Sequence, residues 1–306
     1  MRCLITGGSG FIGSHLAQRL QENRHDVAVL DNRKPRFDVE WIEHDVRAEL
    51  DGQLKGFDVV YHLAAVANAR KSFENPSLAY SINVQGTLNV LQAALKADVR
   101  RVFLASTSWV AGAQVDPIVE ESTPFNLSDT NTIYGATKLS QEMACYAFRS
   151  EFKGPDYTIL RYGIPYGERM WKGLVVRAFM DMAEATGTIN IMGDGKQFRE
   201  FLYVKDLCDA HVLALDPIAT NKIYNLTGDR PITVEELAKE VVRYFPAEIE
   251  YIPQARVEPK LKRIKNDLAK NELGWMPGTP LGEGIQRCSE WWRTLDSAEK
   301  KEGYWA

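Results

Sequence analysis

Cysteine is scarce in this 306-residue chain, and the four present, Cys3, Cys145, Cys208 and Cys288, lie far apart with no C-x-x-C pair or Cys/His cluster. That spacing excludes a disulfide framework, gives no metal site of zinc type, and predicts a reducing, cytoplasmic setting. Long apolar runs are also missing: none approaches the ~18 residues of a membrane span, and no leader pattern precedes the first strand-like run at residue 2. There is no basic excess either. Lys and Arg number 37 against 41 Asp and Glu, a net charge of −4, and the densest basic cluster is Lys260, Lys262, Arg263 and Lys265, which reads as a solvated face. Nucleic acid is therefore not an expected partner. Internal repeats and low-complexity stretches are absent. What remains is an ordinary globular composition, 45% hydrophobic and 25% charged, long enough for two lobes.

Strand-like runs at 2–6, 26–30, 41–44, 57–63, 101–105 and 157–162 alternate with helical stretches, notably 78–97 and 134–152. Such alternation predicts an α/β fold with a doubly wound parallel sheet of Rossmann type. After Arg161 the pattern loosens under Gly and Pro punctuation, which places a smaller, partly interleaved C-terminal lobe from about residue 163. A helix at 204–215 and a strand at 222–226 return to the first sheet. The expected division is 1–162 with about 200–226 for the dinucleotide, and 163–199 with 227–306 for the substrate. Thr233-Val234-Glu235-Glu236 has capping-box spacing and opens a helix to about Phe245. In 134–152, Leu139, Met143, Tyr146 and Ala147 form an apolar stripe expected to be buried, on the sheet or on a partner subunit.

The first strand runs into Gly7-Gly8-Ser9-Gly10-Phe11-Ile12-Gly13 and then a helix. Glycines at 7, 10 and 13 allow a tight turn, close approach to a pyrophosphate and helix-on-strand packing, while the helix N-terminus offers free N–H groups to an anion. The second strand ends at Asp31, about 20 residues on, where a carboxylate accepts from ribose hydroxyls and favours NAD over NADP. Arg33 and Lys34 beside it would suit a 2′-phosphate and keep NADP as the alternative.

Two further elements carry chemistry. Phe103-Leu104-Ala105-Ser106-Thr107-Ser108 is a strand tipped with three hydroxyls. Tyr134 and Lys138, at i and i+4, share one helical face, where an ammonium helps a phenol of pKa about 10 to shed its proton.

Taken in order, Gly7-x-x-Gly10-x-x-Gly13, Asp31, Asp45-Val46, His62-Leu63-Ala64-Ala65, Asn83-Val84-x-Gly86-Thr87, Ser106-Thr107, Tyr134-x-x-x-Lys138, Leu160-Arg161-Tyr162, Gly193-Asp194-Gly195-x-Gln197-x-Arg199 and Leu273-Gly274-Trp275 span nearly the whole chain. On these residues the chain resembles the extended short-chain dehydrogenase/reductase family, and within it the nucleotide-sugar epimerases and dehydratases. The resemblance implies NAD as cofactor and a nucleotide-diphosphate sugar as substrate. By position it makes Tyr134 the general base, Lys138 its partner and ribose contact, and Thr107 the hydroxyl on the reacting sugar oxygen. It assigns Gly7, Gly10, Phe11, Ile12, Gly13, Asp31, Asn32, Asp45, Val46, Leu63, Ala64, Ala65, Asn83, Ala105 and Tyr162 to the cofactor. To the substrate it assigns Ser108, Arg199, Arg256, Arg70 and Arg169.

Dehydratases and decarboxylases that the chain resembles place a carboxylate immediately after the catalytic hydroxyl residue. Here Ser108 and Trp109 hold those positions, and neither is a carboxylate acid or base. The expected reaction is therefore 4-epimerisation of a UDP-hexose, UDP-N-acetylhexosamine or UDP-uronate through a transient 4-keto sugar. The alternatives are a 4,6-dehydratase or decarboxylase, an NADP-dependent keto-sugar reductase and, remotely, a non-catalytic dinucleotide sensor. Ile164 and Ala111 depart from the Asn and Tyr common in the family, and these departures count against a uridine-specific site. Resemblance also implies a homodimer built on the helices 78–97 and 134–152.

Overall fold

The computed structural model describes residues 1–111, 118–124, 132–253 and 263–302. In chain order its elements are β1 (Arg2–Thr6), α1 (Phe11–Glu22), β2 (Asp26–Asp31), β3 (Glu40–Glu43), β4 (Val59–His62), α2 (Ala69–Glu74), α3 (Pro76–Tyr80), a π-helical turn (Ser81–Gln85), α4 (Gly86–Lys96), β5 (Arg101–Thr107), β6 (Ile118–Val119) and α5 (Ile133–Phe152). There follow β7 (Asp156–Tyr162), β8 (Ile164–Tyr166), α6 (Val175–Thr186), β9 (Thr188–Met192), β10 (Phe198–Arg199), β11 (Phe201–Tyr203), α7 (Val204–Leu213), β12 (Lys222–Leu226), β13 (Ile232–Thr233), α8 (Val234–Val242), β14 (Glu248–Ile252), β15 (Arg263–Ile264), α9 (Asp267–Leu273), α10 (Leu281–Thr294) and α11 (Ser297–Glu302).

Two compact units result: residues 1–162, 208–226 and 264–275 make one, and residues 163–207, 227–263 and 276–306 the other. Residues 264–275, expected with the second lobe, lie with the first. Tertiary bonds hold them there: Asn225 Nδ2 donates to Lys265 O, and Lys222 and Tyr224 of β12 both donate to the Glu272 carboxylate of α9.

In the first unit seven parallel strands run in the order β12-β7-β5-β4-β1-β2-β3. Strand order reverses between β1 and β4, and open α/β sheets bind ligands outside the carboxyl ends of their strands at such a point. Those ends carry Thr6, Asp31, His62, Thr107 and Tyr162. The strands read as apolar runs because both faces are covered. On one face Leu4, Leu30 and Leu104 pack with Val90, Cys145 and Phe148 from α4 and α5.

The 78–97 stretch is not one α-helix. Its middle turn is π-helical, so the residues of Ser81–Gln85 are carried out of the 3.6-residue register. Of the two places expected for the apolar stripe of α5, the sheet takes only Leu139. Leu139 is buried, but Met143, Tyr146 and Ala147 are exposed, and the face turned to the sheet carries Thr137, Lys138, Gln141 and Glu142 instead. Thr132 caps this helix by accepting from Gly135 N at 3.0 Å, and Lys153 in the left-handed region ends it.

The second unit pairs β8 with β11 and β9 with β14 in parallel, and β10 with β13 antiparallel. Thr233 caps α8 through Glu236 N as its spacing predicts, but the Glu236 carboxylate goes to Arg230 rather than back to the cap. Trp292 of α10 is buried, donates to Glu184 at 2.8 Å, and has the buried Arg177 guanidinium 4.2 Å from its ring centroid. All four cysteines are free and buried, and among the described residues no helix is long and apolar enough to cross a membrane.

Candidate active site

The loop between β1 and α1 is set by the space its glycines leave. Gly7 sits at φ +72°, where a side chain is strained, and a Cβ there would lie 2.6 Å from Ala64 N. A Cβ on Gly13 would lie 2.4 Å from Gly7 O. Gly10 is the N-cap of α1, and no side chain caps that helix, so its first-turn N–H groups remain for an anion. Phe11 is buried against His15 and Ile12 is half-buried. At the end of β2 the buried Asp31 accepts from Ser9 N at 3.1 Å and Arg33 N at 3.0 Å, which ties the glycine loop to the carboxylate. Burial raises its pKa while these backbone bonds oppose the rise. A third backbone bond, from Asn32, acts on the carboxylate in the same direction.

Thr6, at the end of β1, begins a buried polar network. Its hydroxyl meets His62 Nδ1 at 2.7 Å, and His62 Nε2 meets Thr87 Oγ1 at 2.9 Å. Thr87 spends its only proton on Asn83 O at 2.5 Å and also receives Gln141 Nε2 at 2.6 Å. His62 Nε2 must therefore be the donor, and Nδ1 accepts from Thr6: one neutral tautomer satisfies every bond. Burial, with Lys138 adding to it, lowers His62 to a pKa of about 3. Asn83, carried on the π-helical turn, accepts from Val66 N at 2.7 Å and donates to Thr137 Oγ1 at 2.9 Å and Val66 O at 3.4 Å. Its amide thus joins the loop after β4 to α5. Leu63, Ala64 and Ala65 in that loop are half-buried, and Ala64 N lies 3.4 Å from Thr6 Oγ1.

At the carboxyl end of β5, Thr107 hydrogen-bonds the Tyr134 hydroxyl, and Thr107 Oγ1 accepts from Trp109 N at 3.3 Å. Burial pushes the Tyr134 phenol up to about 12, with the Thr107 bond pulling it down. One turn along α5, the buried Lys138 ammonium donates to Ala105 O at 2.7 Å; burial lowers it to about 8 while Glu142 opposes the change. Tyr162 stands opposite Thr107 in register, its hydroxyl 2.6 Å from His211 Nε2. The fold has thus put a phenol of α5 in hydrogen-bond contact with a hydroxyl at the end of β5, with an ammonium one helical turn along.

The other expected residues fall differently. Asp45 is held bidentately by Arg47, and its pKa is lowered by that pairing. Val46 is buried against Gly86, where a Cβ would lie 2.9 Å from Val46 Cγ2; Asn32 is exposed. Ser108 is buried. Arg70 turns to solvent on α2 with its side chain 86% exposed and paired to Glu74. Arg199 and Arg169 belong to the second unit, half-buried; Arg199 Nη1 donates to Phe198 O at 2.8 Å, and Arg169 has a left-handed backbone, φ 63°. Arg256 lies outside the described residues.

Residues 3–227 match the model of the NAD dependent epimerase/dehydratase family. The chain belongs to that family. It is 30% identical to a UDP-glucose 4-epimerase of Mycolicibacterium smegmatis, covering 96% of this chain and 99% of that one. It is also 30% identical to a UDP-N-acetyl-alpha-D-glucosaminuronate decarboxylase of Bacillus cytotoxicus, covering 97% and 99%. Among solved structures, a UDP-glucuronic acid 4-epimerase of Bacillus cereus in complex with UDP-glucuronic acid and NAD superposes with a TM-score of 0.86 at 26% identity, over 97% of this chain and all of that one. NAD is accordingly the cofactor of this chain, and the residues fit it: a tight loop in which a Cβ at Gly7 or Gly13 would collide with backbone, an uncapped helix N-terminus and a buried carboxylate beyond it.

Sequence reasoning quoted His62 and Arg161 only as family marks and missed Glu142. Arg161 of β7 and Glu142 of α5 form a buried bidentate pair, joined by Ser106 of β5. The available signal was spacing, since Glu142 stands four residues beyond Lys138 on the same helical face.

Proposed function

We propose that this enzyme is an NAD-dependent 4-epimerase of a UDP-linked sugar, with Tyr134, Thr107 and Lys138 as its reacting groups. The observation that carries the reading is the Thr107–Tyr134 hydrogen bond with Lys138 one helical turn along on Ala105 O, and no carboxylate at Ser108 or Trp109. Bound NAD supplies a hydride acceptor and donor for sugar C4. Tyr134 removes the proton from the C4 hydroxyl and gives it back, a contribution of roughly 10²- to 10⁴-fold. Thr107 bonds the same oxygen and holds it against the phenol. Lys138, anchored on Ala105 O, keeps protons for the cofactor ribose and places positive charge near the phenolate. Epimerisation needs this one base and no second acid, and the residues present meet that requirement. Gly7, Gly10 and Gly13 with the α1 N-terminus hold the pyrophosphate, Asp31 the adenosine ribose. Ser108 is the proposed substrate contact of the first unit.

We further propose a homodimer in a cytoplasmic, reducing setting that suits four free thiols. The support for the dimer is the inverted face of α5, where Met143 is 61% and Tyr146 66% exposed while Lys138 and Glu142 lie inside. A monomeric mass at micromolar concentration opposes this.

The test is proton NMR of the purified enzyme with UDP-hexoses, UDP-N-acetylhexosamines and UDP-uronates, no reductant added. A C4 epimer is expected, and Tyr134→Phe is expected to lose at least ~10³-fold in turnover while keeping NAD. A pentose product, an accumulating keto sugar, or turnover only with NADPH overturns the assignment in favour of decarboxylase, dehydratase or reductase.

A further inference from the structure

Tyr134, Lys138 and Glu142 follow one another at i, i+4 and i+8 along one face of α5, the last two buried. Glu142 is one of the most tightly held carboxylates in the first unit. Arg161 Nε reaches Oε1 at 3.0 Å, Arg161 Nη2 reaches Oε2 at 2.7 Å, and Ser106 Oγ donates to Oε1 at 2.5 Å. Both side chains of the ion pair are at most 10% exposed. Replacing such a pair by apolar residues is often neutral or stabilising, because two desolvated charges cost about what their attraction returns. Stability alone is therefore a weak reason for its presence, and its place beside Lys138 supplies another.

We propose that Glu142 is a positioning residue for the reaction, acting through Lys138: with Arg161 and Ser106 fixing its carboxylate, it keeps the Lys138 ammonium charged and seated on Ala105 O one turn from Tyr134. The proposal rests on the reading of Tyr134 and Lys138 as the proton-transfer pair. Burial works against the ammonium and brings it to about 8, and Glu142 is the charge that opposes the fall. The other ionisable groups on the surrounding elements do not do this. His62 on β4 is neutral and Tyr162 on β7 is bonded to His211; Tyr134 on α5 keeps its proton; Arg161 is itself cationic and turned to Glu142. From α2, Arg70 and Glu74 pair with each other in solvent. The remaining neighbours, Ser106, Thr107, Asn83 and Thr87, are uncharged. Arg161 and Ser106 prevent Glu142 from swinging onto Lys138 as a contact pair, so the ammonium keeps its hydrogen-bonding capacity for ligands while feeling the carboxylate through one helical turn.

The experiment is the pH dependence of kcat/KM for interconversion of UDP-sugars by the NAD-loaded enzyme, comparing wild type with Glu142→Gln, Glu142→Asp and Tyr134→Phe. Removing the carboxylate charge is expected to move the alkaline limb about one pH unit downward in Glu142→Gln, while Glu142→Asp keeps the wild-type limb. A folded Glu142→Gln enzyme whose limb does not move overturns the proposal and makes the pair merely structural. Should Glu142→Gln fail to fold, the double variant Glu142→Leu/Arg161→Met removes both buried charges together; a limb shifted downward supports the proposal and an unmoved limb overturns it. Tyr134→Phe separates the two levels: if it keeps turnover, the assignment of Tyr134 fails and takes this proposal with it. If it is inactive and the Glu142→Gln limb is unmoved, only the role of Glu142 fails.

Discussion

His62 makes the fold sensitive to acid in a way that can be calculated. In the folded protein its ring is neutral, donating from Nε2 to Thr87 and accepting at Nδ1 from Thr6. A proton added at Nδ1 would turn that acceptor into a donor facing a hydroxyl that already accepts from Ala64 N, and would place a cation in a buried site near Lys138. The folded pKa is about 3 against an unfolded value of 6.5. Between those values the unfolded chain binds the extra proton and the folded chain does not, so stability rises with pH and is lost on acidification below 6.5. The limiting slope is ~1.4 kcal/mol per pH unit, so lowering the pH from 7 to 5 removes about 2 kcal/mol through this residue. Urea unfolding of wild type and His62→Gln at pH 7 and pH 5 measures it, the wild type losing about 2 kcal/mol more than the variant. Only five histidines are present, so ring-proton NMR can follow His62 directly. A His62 signal titrating near 6.5 in the folded protein, or equal acid sensitivity in both proteins, refutes the tautomer and the burial argument together.

Gly13→Ala is expected to purify without NAD, because its Cβ would meet Gly7 O at 2.4 Å and strain of ~1–3 kcal/mol falls on the pyrophosphate loop; nucleotide released on denaturation, at wild-type stoichiometry, would contradict this. Asn83→Ala removes the acceptor of Val66 N and the donor to Thr137 and should lower unfolding stability by about 2–3 kcal/mol. A urea-derived loss under about 0.5 kcal/mol would show that water replaces the amide.

The cofactor half of the site was legible because its signals are local. Gly7, Gly10, Gly13 and Asp31 are read along one β-α-β unit, and the limits of β1 and β12 fall where the apolar runs end. Spacing alone likewise put Tyr134 and Lys138 on one face of α5. On the same helix periodicity found the apolar stripe but not the surface that covers it: Met143 and Tyr146 stand exposed on the single chain. It reports which face of a helix is apolar, whereas burial of the other face depends on whether each polar group meets a partner. Those partners are distant in sequence: Glu142 meets Arg161 across 19 residues and Ser106 across 36, and Gln141 meets Thr87 across 54.

The sequence by itself determined the parallel sheet, the dinucleotide loop and the placing of Tyr134 and Lys138 on one helical face, because backbone geometry follows from nearby residues. Only the tertiary structure decided the protonation of His62, the work of Asn83 on its π-helical turn, and the seating of Lys138 and Glu142. Each of these is fixed by charges and hydrogen bonds that meet only after β1, β4, β5, β7, α4 and α5 have packed, where low dielectric makes every match or mismatch count.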